Sequence, residues 1–235
     1  MVLYAFLFLM IGGSLWTWQN TKNIQARWTN VPPTPKASFA SSIGLGDAQF
    51  AYRIYSLMLQ NSGNTGGRFV ALKDYNYERL GKWFFLQNML DSRSDFIPLL
   101  AAYYFGASQD SSKIRPVIEY LGVAGNSAEK EKWRWLAQAV YLARFKLKDT
   151  DLALKLAYKL AAIDNPDMPI WARQMPANVL NQKGEKQAAL EIITGILKAS
   201  GDKIHPNEVN ALLDYACDQI LEGDSKKLDM CRERQ

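Results

Sequence analysis

Trp133-Arg134-Trp135-Leu136-Ala137-Gln138-Ala139-Val140-Tyr141-Leu142-Ala143 repeats large and small apolar residues at helical spacing. A polar break follows, Lys146-Leu147-Lys148-Asp149-Thr150. The pattern then resumes in Asp151-Leu152-Ala153-Leu154-Lys155-Leu156-Ala157-Tyr158-Lys159-Leu160-Ala161. Two helices joined by so short a break lie nearly antiparallel. Lys132 to Ile163 therefore reads as a helical hairpin, and the rest of the chain reads as variations on it.

The variation has a period. Phe84, Tyr120, Leu156 and Ile192 stand 36 residues apart, as do Gly81, Val117, Ala153 and Ala189. In the preceding helices Leu99 steps to Trp135 and then to Trp171, while Ala101 steps to Ala137 and then to Arg173, so the last copy departs. A repeat of this length with two helices per copy is the signature of an α-solenoid. Each pair buries one face against the next, and no copy would be stable alone. Helices are expected at Asn76–Leu90, Phe96–Ala107 and Ser112–Val123, the last with Pro116 in its first turn. The fourth pair runs Pro169–Gln182 and Glu185–Ala199, with Pro176 kinking or splitting its first helix and Gly184 making the turn. A helix from Asn207 to Leu221 closes the stack. Asp47 is a candidate N-cap for the first helix of the array.

The hairpin pattern resembles the tetratricopeptide repeat superfamily. Trp135 and Trp171 stand at its large position early in the first helix, Ala153 and Ala189 at its small position in the second, and Pro166 follows the second helix. The period exceeds that family's, about 34 residues, and its Leu-Gly pair is missing. The resemblance covers Asp47 to about Leu221. It implies an all-α, right-handed superhelix of about four hairpin pairs plus a capping helix, with a concave groove for a peptide or a partner helix.

The chain divides as 1–20, an apolar leader; 21–45, a proline-rich spacer; 46–222, the repeat; and 223–235, a charged tail. Val2 to Trp18 carries no charge and spans roughly 25 Å as a helix. It is read as a single-pass transmembrane anchor in a bacterial inner membrane, with Trp16 and Trp18 as interfacial aromatics. Gly12, Gly13 and Ser14 would let two anchors approach closely. Lys22, Arg27 and Lys36 follow the anchor, which points the repeat to the cytoplasm. A Cys217–Cys231 disulfide would point it outward, and the periplasmic side is preferred. Asn30-Val31-Pro32-Pro33-Thr34-Pro35-Lys36 is expected to be extended and semi-stiff, holding the repeat off the bilayer. Gly63-Asn64-Thr65-Gly66-Gly67-Arg68 reads as a flexible loop, since no phosphate-binding G-x-x-x-x-G-K-[ST] motif is present.

Of 235 residues 48% are hydrophobic, seven are Trp, and the net charge is +5 with both signs interspersed. Without a clustered basic face nucleic acid is not an expected partner. His205 is the only histidine. That excludes paired-His metal sites, and its place beside Pro206 suggests a capping role. The two cysteines, Cys217 and Cys231, fit neither a redox motif nor a zinc site. They read either as reduced thiols or as one disulfide.

No catalytic motif is found, and neither an enzyme nor a cofactor is expected. Two aromatic clusters, Tyr75, Tyr77, Trp83, Phe84 and Phe85, and Tyr103, Tyr104 and Phe105, cannot point wholly into helix interfaces. Tyr75, Tyr77, Trp83, Tyr103 and Tyr104 are therefore the candidate partner-binding residues. The expected function is a membrane-tethered, non-catalytic scaffold or assembly factor at the bacterial envelope. Its partners would be other proteins in the groove and the lipid bilayer through Val2–Trp18. The alternative is an accessory subunit of a larger membrane complex.

Overall fold

The computed structural model describes residues 2–23, 30–63, 69–200, 205–222 and 231. Among these residues the regular structure is all helical, with no strand. The helices are α1 (Val2–Thr21), α2 (Ala48–Gln60), α3 (Tyr77–Leu90), α4 (Phe96–Leu99), α5 (Arg115–Ala124), α6 (Trp133–Tyr141), α7 (Thr150–Ala161), α8 (Ile170–Arg173), α9 (Met175–Gln182), α10 (Lys186–Ser200) and α11 (Pro206–Asp214).

Short polar side chains start these helices. Asp47 accepts from the amides of Gln49 and Phe50, Asn76 from Arg79, and Asp149 from Leu152, at 2.8–3.0 Å. Each satisfies donors that the first helical turn leaves unpaired. His205 caps α11, its Nδ1 accepting from the Asn207 amide at 3.2 Å. The turns between α6 and α7 and between α9 and α10 use left-handed residues, Lys148 at φ 58° and Gly184 at φ 81°. Pro176 splits its helix as its missing N–H requires: α8 ends at Arg173 and α9 restarts at Met175.

Three first helices also depart from regular geometry. α4 continues as a π turn (Leu100–Tyr104) and a 3₁₀ turn (Phe105–Ala107). α6 continues as a π turn over Leu142–Leu147, and α11 over Tyr215–Ile220. Periodicity alone predicts one uniform helix in each place. π turns of this kind are rare, appear mostly as single-turn bulges inside α-helices, and are frequent at functional sites.

The helices pack in chain order. α3 meets α5, α5 meets α6, α6 meets α7, α7 meets α9 and α9 meets α10. The polar links between successive pairs recur at near-constant separation along the chain. Lys183 bonds Asp151, 32 residues away, and Arg115 bonds Asp149, 34 away. Gln138 bonds Tyr103, 35 away; Lys186 bonds Glu222, 36 away; Lys132 bonds Asp95, 37 away; and Asn181 bonds the Gln219 carbonyl, 38 away. Contacts between neighbouring hairpins produce separations of this size, and the fold is all-helical and repeat-like. The apolar interior follows the stack. One large cluster runs from Val31 to Val179, and a smaller one joins Ala177, Leu180, Ala189, Ile193, Leu212, Ala216 and Ile220. Beyond the last pair, Cys217, buried on the closing helix, is disulfide-bonded to Cys231 with Cα atoms 5.9 Å apart.

Two sequence expectations are corrected here. No described helix is long and apolar enough to cross a membrane. The single-pass anchor at Val2–Trp18 therefore falls, and with it the bilayer partner, the inner-membrane location and the periplasmic assignment. The reason is visible in α1. Its unbroken apolar run is Val2–Ile11, about 15 Å of helix against the ~30 Å of a hydrocarbon core. Gly12-Gly13-Ser14 and then Thr17, Gln19, Asn20 and Thr21 dilute the remainder. The Thr17 and Thr21 hydroxyls and the Asn20 amide turn back onto carbonyls of α1 itself.

The second correction concerns residues 30–36, which lie against the repeat instead of spacing it. Val31 is completely buried, and the carbonyls of Val31 and Pro32 accept from Arg79 and Trp83. Asn64–Arg68 of the glycine-rich loop, Arg27, and the charged tail apart from Cys231 lie outside the described residues.

Candidate functional site

The first helices of three consecutive pairs put side chains onto one open face. The chain from Phe96 to Ala107 supplies Tyr103 and Gly106; α6 and its continuation supply Gln138, Tyr141 and Lys146; α8 and α9 supply Trp171 and Met175. Together they line a cavity of about 500 Å³. A second cavity of about 460 Å³ shares Tyr103, Ala137, Gln138 and Trp171 and extends to Glu131, Asp167 and Pro169. The two form one groove crossing three helices.

Helical spacing explains the lining. Tyr103 and Gly106 are three residues apart, Gln138 is followed by Tyr141 and Leu142 at three and four, and Trp171 and Met175 are four apart. Each set forms one stripe on its helix. Tyr103 is 59% exposed and Trp171 48%, unusually open for rings of this size. The floor is held from below. Gln138 Nε2 donates to Tyr103 Oη at 3.0 Å. The Tyr103 ring meets Trp135 edge-on at 6.4 Å, and Trp133 meets Trp171 edge-on at 5.5 Å.

Beside the groove a buried cation ties two pairs together. Lys132 is 8% exposed, and its Nζ donates to the carbonyls of Arg93 (3.1 Å) and Ser94 (3.2 Å) and to Asp95 Oδ1 (2.7 Å). Trp135 Nε1 donates to the same Asp95 oxygen at 2.7 Å. Partial burial pushes the Asp95 carboxyl up, but the bonds from Lys132 and Trp135 outweigh it and hold the group below the ordinary aspartate range. A depressed carboxylate contributes stability at pH values above its unfolded pKa and loses it as pH falls through the folded one. The thermal midpoint of the wild type should therefore exceed that of Asp95→Asn above about pH 5, and the gap should close below about pH 3. Thermal melts of both proteins between these limits measure it. An unchanging gap would show that the carboxylate charge contributes nothing.

The five aromatics named from sequence separate. Tyr103 is on the groove floor. Tyr104 is 41% exposed, but it leans on Phe105 at 5.0 Å and does not line the groove. Tyr75, Tyr77 and Trp83 are buried, 4%, 4% and 2% exposed, and none of them lines this groove, against the expectation that they share one binding face with Tyr103. Their polar ends are already used: Tyr75 Oη donates to the Ser62 carbonyl, Tyr77 Oη to that of Phe105, and Trp83 Nε1 to that of Pro32. Burial pushes the Tyr75 hydroxyl up to about 12.

Sequence reasoning missed Gln138, Tyr141, Trp171 and Met175. It followed runs of adjacent aromatics, and adjacent residues on a helix point different ways. The signal that finds them is a three- and four-residue stripe repeated on every first helix. Compared with known proteins, the chain matches no family model, no curated protein and no solved structure.

Proposed function

We propose that the chain is a tetratricopeptide-repeat-like scaffold that binds other proteins and carries out no chemistry of its own. The groove across the first helices receives an extended peptide or the apolar face of a partner helix. The observation that carries this reading is the lining: exposed Tyr103 and Trp171, each braced by a neighbouring ring, together with exposed Tyr141, on the first helices of successive pairs. Large rigid aromatics in a desolvating concavity are where binding energy concentrates. The chain's departure from that family's period leaves the handedness of the stack as part of the same proposal.

A second reading, an accessory subunit of a larger protein assembly, is favoured by α1. Leu3, Tyr4, Phe6, Leu7, Phe8 and Leu9 are all exposed, a larger apolar patch than a free surface ordinarily carries.

The double variant Tyr103→Ala/Trp171→Ala tests the groove. Both side chains are half-exposed, so the fold should survive, as circular dichroism would verify. Cross-linking followed by affinity capture should recover a stoichiometric partner with the wild type and at least tenfold less with the variant, consistent with about 2 kcal/mol per hot-spot residue. Equal recovery would refute the groove as the binding face. A fixed large complex on native gels, insensitive to these two residues, would favour the subunit reading.

A further inference from the structure

Residues 31–36 cross the first pair without forming helix or strand. Their sequence dictates that. Val31, Pro32 and Thr34 each precede a proline, which pushes them out of the helical region, and the three prolines have fixed φ. Lys36, at φ −63° and ψ 144°, ends the run in polyproline II geometry. Such a backbone satisfies none of its own carbonyls.

Two of those carbonyls find donors on one face of α3. Trp83 Nε1 donates to the Pro32 carbonyl at 2.8 Å, and Arg79 Nη1 donates to the Val31 carbonyl at 3.1 Å. Arg79 and Trp83 are four residues apart, one helical turn. The Trp83 ring lies against Tyr55 of α2, centroids 4.9 Å apart. The Val31 side chain is completely buried beside them. An indole N–H and a guanidinium reading successive carbonyls, over an aromatic floor with one apolar pocket, is the chemistry that recognises proline-rich peptides.

We propose that the α2–α3 face is a binding site for an extended peptide of the pattern apolar-Pro-Pro, and that residues 31–35 are its resident occupant. Trp83 and Arg79 read the backbone, and the pocket holding Val31 reads the first side chain. The site is separate from the groove and does not depend on the function proposed for it. Tethering gives the resident segment an effective concentration on the order of millimolar. A peptide from another molecule therefore meets a filled site and enters only when the resident segment is weakened.

The test uses the full chain. Val31→Asp places a charge on the side chain that the segment buries and leaves the α2–α3 face intact; Val31→Ser is a milder second variant. A fluorescent peptide of residues 30–38 is titrated into each by anisotropy, with a scrambled peptide as control. Expected is binding to the vacated variants at least tenfold tighter than to the wild type. That binding should weaken at least tenfold when Trp83→Phe, which keeps a ring and removes the N–H, is added. No binding to either folded variant, or binding indifferent to Trp83→Phe, would reduce the segment to a structural strut. Failure of both Val31 variants to fold would do the same.

Discussion

Gly125→Ala is expected to destabilise the protein by about 3 kcal/mol or more, beyond the ordinary range for overpacking. Gly125 ends α5 where the chain turns back toward α6. A Cβ placed there would lie 2.1 Å from the Leu136 amide nitrogen and 2.8 Å from its Cα. Those are backbone atoms in the middle of a packed helix. They cannot rotate aside, so α5 and α6 would have to separate. In a chain of this length the thermal midpoint should fall by roughly 6–12 °C. Gly195→Ala is the control. Gly195 is also helical, a Cβ there meets nothing within 4 Å, and the gain in helix propensity should raise stability by up to about 1 kcal/mol. Paired calorimetric melts decide the matter. A harmless Gly125→Ala would mean that the α5–α6 crossing is looser than described.

Phe84→Ala is the second large expected effect, a loss of about 3–5 kcal/mol. Phe84 is wholly buried at the junction of three elements. Its ring centroid is 5.5 Å from that of Phe105 and 5.2 Å from that of Tyr120. Truncation leaves a hole walled by two rigid rings, neither of which can collapse into it without leaving its own packing. The adjacent Phe85 is 40% exposed and meets only the edge of Tyr120, at 5.7 Å, among the described ring contacts. Its truncation should cost about 1 kcal/mol or less. Urea unfolding of the two variants compares neighbours with the same chemistry and opposite orientation. Similar losses would contradict the burial assigned to them.

The same two residues show how far the sequence could be read. The step from Phe84 to Tyr120 to Leu156 marks true equivalents, and all three are buried. The small residues Gly81, Ala153 and Ala189 are legible for a related reason. They lie at helix crossings, where Pro116, for instance, leaves no room for a side chain at Gly81, an added Cβ lying 2.8 Å from its own. Periodicity reports which residues face the next helix, and the repeat-like packing of helices in chain order follows from it. It does not report which member of an aromatic pair turns outward. That depends on the rotation of the helix set by its neighbours, so Tyr103 stands on the open face while Tyr77 and Trp83 turn inward.

Two further features escape a reading based on helical period. The docking of Val31 and Pro32 depends on donors some 50 residues further along the chain. The insufficiency of α1 as a bilayer span depends on how polar residues dilute its second half. The groove was missed where its lining is not consecutive.

The groove runs along the large apolar cluster and stops short of the small one. Trp171 and Met175, on its far side, belong to the stretch where the large cluster ends and the small one begins. A stack whose elements touch mainly their neighbours bends most easily where its interior thins. An occupant bound to Tyr103, Tyr141 and Trp171 would then act as a splint leading up to that joint, holding α8 against the helices before it. Recognition and rigidity would become two readings of a single equilibrium.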